Sequence, residues 1–342
     1  MTTPCSSQGR TLGELFGNEK PESPHAQLFV SGLRQDSRLV KQGDLFFALS
    51  GKKTNGILHV DEALRNGAIA IVVDQAWRGD TSHFPIPVIR ISDLESKVSR
   101  FASRFYGNPS DRIHTIAVTG TNGKTSCCWL LSDLLTRLGE KSAYLGTLGY
   151  GVGVSKDHGI SASEIIKTSL TTPDAITIQT ILNSLSYSGV STVALEASSH
   201  ALAQRRIDAV SVDTAIFTNL SRDHLDYHGD MDSYGASKTL LFQKTELQTV
   251  IINADDDFSK VLDSKVASDK RIYRYSLDNN KADIFCTSIS LDRLGVTANV
   301  VTPWGQGTLK SSLVGQFNLS NLLAVVAAAA KRFPLSDVLR VI

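Results

Sequence analysis

An excess charge of one sign, cysteines at metal-binding spacing and a long apolar run are all missing from this sequence. Lys and Arg number 35 against 34 Asp and Glu, a formal net charge of +1. So balanced a chain has no global basic field to draw in nucleic acid or an anionic membrane, which leaves only a local cationic pocket. The four cysteines, Cys5, Cys127, Cys128 and Cys286, show no ligand spacing. Adjacent Cys127 and Cys128 point to different faces of a helix, and buried free thiols in a reducing cytoplasm are expected. The N-terminal MTTPCSSQGR lacks the apolar core of a signal peptide. The longest apolar run, Leu322–Ala330, falls far short of the ~20 residues that span a bilayer. No internal repeat or low-complexity tract is present. A soluble, cytoplasmic protein is expected, and 342 residues suffice for two or three domains.

Residues 1 to about 25, with scattered Pro, Ser and Gly, read as a mobile lead. From Leu28 the short β-like runs GDLFFAL, AIAIVVD and PVIRIS alternate with the helical HVDEALRNG. KVSRFASRFYGNPSDR is an amphipathic helix ended by Gly107, Asn108 and Pro109. This is a small α/β domain, 1–112. A second domain follows over 113–335. Apolar strands HTIAVTG, SAYLGTLG, TVALEAS, TAIFTNL, TVIINAD and RIYRYS are separated in several places by helical patterns such as CCWLLSDLLTRLG and AITIQTILNSLSYSG. That rhythm argues for a mainly parallel sheet flanked by helices, with ligands at the carboxyl ends of its strands. Residues 283–314 read as a small antiparallel insert with turns at Gly295 and Gly305. FNLSNLLAVVAAAAKRF is a strong helix starting near Asn318 or Ser320, and 336–342 form a stub after Pro334.

The chemistry concentrates where strands end. In AVTGTNGKTS, residues 117–126, Gly120 and Gly123 stand between a strand and a helix, the setting of a phosphate-binding loop. Glycines let successive backbone N–H groups turn inward around phosphate oxygens, and the helix N-terminus adds favourable charge. Lys124 would neutralise the β- and γ-phosphates and the Thr125 hydroxyl would bind Mg²⁺. Val118 stands where the longer form of the motif has its first glycine. Glu196, closing an apolar strand, suits a hard cation such as Mg²⁺ or is a solvated strand end. Asp223, His224, Asp226 and His228 crowd FTNLSRDHLDYHGD. Their mixture allows zinc, but no cysteine or H-E-x-x-H helix accompanies them, and a loop serving Mg²⁺ and phosphate fits better.

Taken together, these stretches resemble the ATP-dependent Mur ligases, whose loop is the shortened TGTNGKT, also found in folylpolyglutamate synthases. DSRLVKQGDLFFALSG (36–51), EASSHALAQRRID (196–208), FTNLSRDHLDYHGDMDSYGASK (217–238), INADD (252–256) and GQFNLSNLLA (315–324) follow the family order. SRDHLDYHGDMDSY favours the branch that adds a third amino acid to the peptide. The resemblance implies that ATP phosphorylates the D-Glu side-chain carboxylate of UDP-MurNAc-L-Ala-D-Glu. The amine of a free amino acid, meso-diaminopimelate or L-lysine, then attacks the acyl phosphate to form an amide. It implies ATP and Mg²⁺ as cofactors, and a monomer without nucleic-acid or membrane partners.

By position, the resemblance puts Gly120, Thr121, Asn122, Gly123, Lys124, Thr125 and Ser126 around the ATP phosphates and Asn318 at the adenine. Lys124, Glu196, His224 and Lys238 become the catalytic group, with Thr125, Glu196, His224 and Lys238 serving Mg²⁺. Lys238 would be carbamylated by CO₂, which replaces a repelled ammonium with a metal-binding carbamate. Ser37 and Lys52, Lys53 and Thr54 would hold the uridine diphosphate; Thr171, Thr172, Ser198, Gln204 and Arg206 would bind the sugar-linked dipeptide. A third, amino-acid-binding domain of the family would begin where this sequence stops, so binding without ligation is expected of this stretch. Leu170 and the basic GKKTNG depart from the family pattern. A non-catalytic nucleotide or UDP-sugar binding module and a folylpolyglutamate synthase relative are the alternatives, the latter disfavoured by the DSR…GDLF domain ahead of the loop.

Overall fold

The computed structural model of the chain describes residues 9–19, 25–51, 55–153 and 165–342. The expectations for Cys5, Lys52, Lys53 and Thr54 lie outside the described residues. Two compact units emerge. The first comprises Met1–Pro109 together with Asp174–Tyr187 and Gln204–Val210; the second comprises Ser110–Pro173, Ser188–Ala203 and Ser211–Ile342.

In the first unit a parallel four-stranded sheet runs through β1 (Gly32–Arg34), β2 (Asp44–Ala48), β3 (Ala70–Asp74) and β4 (Val88–Ile91), in that order. Strands buried on both faces need continuous apolar residues, and LFF and AIVV in β2 and β3 supply them. The helices that accompany the sheet include α1 (Leu12–Phe16), α2 (Val60–Arg65) and α3 (Leu94–Phe105). In α3 the buried Leu94, Val98, Phe101, Ala102 and Phe105 fall at helical spacing. Phe101 meets Phe16 edge-on, ring centroids 4.9 Å apart.

Two expectations are corrected in this unit. Within the stretch read as a mobile lead, residues 12–16 form α1. It is started by a capping box in which the Thr11 hydroxyl accepts from Glu14 N–H and the Glu14 carboxylate accepts from Thr11 N–H. Burial of Leu12, Leu15 and Phe16 fixes it. The helix Ala175–Tyr187, read as part of the second domain, belongs to the first unit, because Ala175 and Ile176 share one core with α3. An apolar helix face announces that it will be buried, not against what.

The second unit is built on a ten-stranded sheet. Its strands are β5 (His114–Thr119), β6 (Ser142–Gly146), β7 (Gly149–Val152), β8 (Thr192–Glu196), β9 (Thr214–Phe217), β10 (Thr249–Asn253), β11 (Arg271–Ser276), β12 (Ile284–Asp292), β13 (Gly295–Thr302) and β14 (Gly305–Ser311). Their spatial order is β14-β13-β12-β11-β10-β9-β5-β8-β6-β7. Pairing is parallel from β12 through β6 and antiparallel at both ends. Residues 283–314 are therefore not a separate insert. Tyr275 and Ser276 of β11 pair with Ile284 and Phe285, so the ribbon extends the central sheet.

The helices of this unit include α4 (Lys124–Arg137), α5 (Met231–Phe242), α6 (Gln316–Ala330) and α7 (Leu335–Val341). From Leu322 to Ala330, α6 is apolar all round and wholly buried, as a helix inside a core must be. It starts at Gln316, earlier than expected, with Gly315 at its cap. The Asn318 side chain donates back to Val314 O at 2.8 Å instead of capping. Cys127 and Cys128 are free and buried, and Cys286 is free and half-buried. Among the described residues, no helix is long and apolar enough to cross a membrane.

Candidate nucleotide-binding site

Three neighbouring parallel strands end together. Glu196 of β8 is in register with Val118 of β5, and Phe217 of β9 with Thr119. The chain leaves β5 towards β6 on one side and β9 towards β10 on the other, a topological switch point where open α/β sheets form a crevice. The loop from Gly120 to Gly123 follows β5 there, and α4 begins at Lys124.

Both glycines are required by geometry. Gly120 has φ +152°, and a Cβ on it would stand 1.9 Å from Thr218 Oγ1; Gly123 has φ +85°, and its Cβ would stand 2.5 Å from Asn321 Oδ1. The loop after β9 braces the turn. Thr121 N–H donates to Asn219 O (2.8 Å), Asn122 N–H to Asn219 Oδ1 (2.9 Å) and the Thr218 hydroxyl to Asn122 O (2.6 Å). Ser126 lies in the first turn of α4.

Two lysines converge on one oxygen. Lys124 Nζ donates to Gly120 O at 2.9 Å and to Thr121 O at 2.8 Å, and Lys238 Nζ donates to the same Gly120 O at 2.9 Å. Lys238 is only 1% exposed, and its ammonium lies 4.4 Å from the centroid of the Tyr234 ring. Burial first, then the neighbouring Lys124 charge, push its pKa down to about 7, against a weaker opposing pull from Asp223. Burial also lowers Lys124, while Glu196 favours its charged form.

Glu196 is fully buried at the end of β8. Its Oε2 accepts from the hydroxyls of Thr125 (2.9 Å) and Thr147 (3.1 Å). Its Oε1 accepts from the Tyr144 hydroxyl (2.5 Å) and Thr147 N–H (2.9 Å). Burial, reinforced by the Glu196 charge, pushes the Tyr144 phenol far up, so it remains a donor. Burial likewise raises the Cys127 thiol to about 12, which leaves it protonated.

His224 sits in left-handed backbone, φ 53°, beside a partly exposed Asp223, Nε2 to Oδ2 3.5 Å. Its ring is 4.8 Å from that of His200 and 6.2 Å from that of Tyr234. Tyr234 joins the parts: its ring faces Lys238 and lies near His224, and its hydroxyl is 3.1 Å from Thr121 Oγ1. Asp223, His224, Asp226 and His228 form no metal-binding group of three among the described residues. The His228 ring instead meets Ser199 Oγ at 3.0 Å.

The remaining expected residues divide between the units. In the second, Thr171 Oγ1 lies 3.2 Å from Thr147 Oγ1. Thr172 is fully buried, donating to Glu196 O (2.7 Å) and accepting from Ser198 N–H (3.1 Å), so it shapes the loop. Asn318 lies in the first turn of α6, whereas Asn321 one turn on reaches Gly123 and accepts from Cys127 Sγ at 3.5 Å. In the first unit, Ser37 is 5% exposed and donates to Glu62 Oε2 at 2.5 Å, and Arg206 Nε donates to Gln204 Oε1 at 2.9 Å.

Sequence patterns do not mark Tyr144, Thr147, Asn219, Tyr234 or Asn321 as part of this site. SAYLGTLG and TAIFTNL carry strand signals only, and nothing local marks a tyrosine that will meet a glutamate 52 residues away.

The sequence and the fold match those of known proteins. Residues 118–329 match the Mur ligase middle domain, and residues 29–106 match the Mur ligase family, catalytic domain. The UDP-N-acetylmuramoyl-L-alanyl-D-glutamate–2,6-diaminopimelate ligase of Ectopseudomonas mendocina (strain ymp) is 41% identical over 326 residues, 95% of this chain. That of Pseudomonas aeruginosa (strain PAO1) is 42% identical over 331 residues, 96% of this chain. The chain spans 65% of the length of each. A solved structure of a ligase of the same name superposes with a TM-score of 0.81 at 28% identity, over 97% of this chain and 66% of the other.

Proposed function

Since the chain belongs to the Mur ligase family, we propose that it supplies the nucleotide-binding and acid-activating part of an ATP-dependent amide-forming ligase of peptidoglycan precursor synthesis. In this reading the substrate is UDP-MurNAc-L-Ala-D-Glu and the incoming amino acid 2,6-diaminopimelate, which the names of the relatives support. The observation that carries this reading is the shared Gly120 oxygen, with Lys124 and Lys238 on it, at the strand ends where Thr125 meets Glu196.

A carboxylate is a poor electrophile until phosphorylated, and phosphorylation brings two anions together. The loop amides and Lys124 hold the β- and γ-phosphates. On ATP binding the Lys124 ammonium exchanges the Gly120 and Thr121 carbonyls for phosphate oxygens. The donor set fits a hard cation: Thr125 Oγ1 and Glu196 Oε2 are both oxygens, 2.9 Å apart at a helix start and a strand end. When bound, Mg²⁺ neutralises charge between the phosphate and the acceptor acid. Lys238, buried and depressed to about 7, has the neutral amine that CO₂ addition requires. The carbamate so formed would carry negative charge toward the same cation, with the His224 ring 6.2 Å from that of Tyr234. Attack of the amino acid's amine on the acyl phosphate gives a tetrahedral intermediate, which expels phosphate to leave the amide. The cytoplasm supplies ATP and keeps the buried thiols reduced.

Calorimetry of this chain with ATP and Mg²⁺, then with UDP-MurNAc-L-Ala-D-Glu, tests the reading. Binding of both is expected, with ATP affinity falling at least ~100-fold in Lys124→Ala. Unchanged ATP binding in that variant, or no binding by the wild type, sinks it. Competition by folate but not by UDP would move the chain to the folylpolyglutamate synthase side. Binding without ADP release in the presence of both substrates and 2,6-diaminopimelate gives this stretch a binding role alone.

A further inference from the structure

The two oxygens of Glu196 are held by donors of different kinds. Oε1 takes a backbone N–H from Thr147 and the phenol of Tyr144. Neither can turn away. Tyr144 is fully buried, edge-on to Trp129 with centroids 5.6 Å apart, and its oxygen also accepts from Leu148 N–H at 3.2 Å. Among the described residues Oε2 takes threonine hydroxyls, from Thr125 and Thr147, which rotate and can keep their lone pairs for a cation. Gly146 makes the enclosure possible. A Cβ there would stand 2.1 Å from Glu196 Oε1 and 2.5 Å from the Tyr144 oxygen.

We infer that Tyr144 and Thr147 are positioning residues that lock the Glu196 carboxylate, so that Oε2 alone is offered to a divalent cation beside Thr125. This rests on the nucleotide-site reading above and deepens it. Loss of the Tyr144 donor leaves Oε1 with the Thr147 N–H alone, and the carboxylate can then swing about its last side-chain bond. Cation affinity then falls, while the grip of the loop amides and Lys124 on phosphate persists. Thr147→Val keeps the N–H donor to Oε1 but removes the hydroxyl that holds Oε2 beside Thr125, so Oε2 is offered less squarely to the cation.

The test is a titration of this chain with N-methylanthraniloyl-ATP, across a Mg²⁺ series and in EDTA. It yields a Mg²⁺ midpoint at fixed nucleotide and a metal-free Kd. Tyr144→Phe and Thr147→Val are each expected to raise the Mg²⁺ midpoint on the order of ten-fold with the metal-free Kd unchanged. Glu196→Gln is expected to abolish the Mg²⁺ dependence. A packing role alone would lower Tm and weaken binding equally with and without metal, leaving the midpoint in place; that result overturns the inference. If both variants keep the wild-type midpoint while Glu196→Gln loses Mg²⁺ dependence, positioning is refuted and the site reading survives. Wild-type binding indifferent to Mg²⁺ removes both. Thr147 is exposed, so its variant decides the matter should Tyr144→Phe fail to fold.

Discussion

Lys124 and Lys238 direct two amino groups at one carbonyl oxygen, and only one of the two lies on the phosphate loop. The cost falls on Lys238. Its folded pKa, about 7, lies below the ordinary 10.5, so between those values the unfolded chain binds more protons and stability rises with pH. The penalty is complete below about 7 and gone above about 10.5. In CO₂-free buffer, Lys238→Met is therefore expected to melt about 2–4 °C above wild type near pH 6.5, with the advantage fading toward pH 10. An advantage that grows with pH would contradict the assignment. With ¹³C-bicarbonate at pH 8, wild type should show a carbamate resonance that Lys238→Arg lacks, weakening as pH falls through 7. A wild-type spectrum without that resonance removes the carbamate role. Gly120, Gly123, Lys124 and Thr125 are legible because their chemistry is contiguous in sequence. Tyr144, Asn219 and Tyr234 are not, because each acts on a residue 52, 97 or 113 positions away.

Among the elements, the strands were readable wherever both faces are buried, since β5, β8, β9 and β10 are nearly unbroken apolar runs. The short β1 and β7 were not, for Gly32–Arg34 and Gly149–Val152 carry too few apolar residues to register. The helix α6 starts earlier than its sequence signals because Gly315 caps it without a side-chain hydrogen bond. The phosphate loop depends on the joint between two elements. Gly120→Ala puts a methyl 1.9 Å from Thr218 Oγ1 and 3.0 Å from Asn219 N, at a backbone angle side chains rarely adopt. It is expected to destabilise the chain by about 1–3 kcal/mol and to weaken ATP binding at least ~10-fold by breaking the brace after β9. Chemical denaturation and calorimetry read the two effects. Wild-type ATP affinity in this variant would mean that the turn is not what holds phosphate.

At the scale of the whole molecule, the first unit is discontinuous in sequence. Residues 174–187 and 204–210 return to it from within the stretch that otherwise builds the second. Patterning cannot show this, because a helix such as Ala175–Tyr187 declares an apolar face without naming its partner. The ties are specific. The Ser99 hydroxyl accepts from Ala209 N–H at 3.0 Å, the Thr180 hydroxyl donates to Tyr106 at 2.9 Å, and Ala175 and Ile176 join the core of Phe101 and Phe105. A fragment ending at residue 112, where sequence reading ends the first domain, would leave one face of α3 bare and the Ser99 hydroxyl unmatched. Each buried apolar side chain is worth about 1.5–3 kcal/mol, a large share of a small domain's net stability of roughly 5–15 kcal/mol. The 1–112 fragment should therefore melt without a cooperative transition and bind a hydrophobic dye, while the full chain melts cooperatively. A fragment that melts as sharply as the full chain, at the same temperature, would show that the returning segments add nothing to the unit.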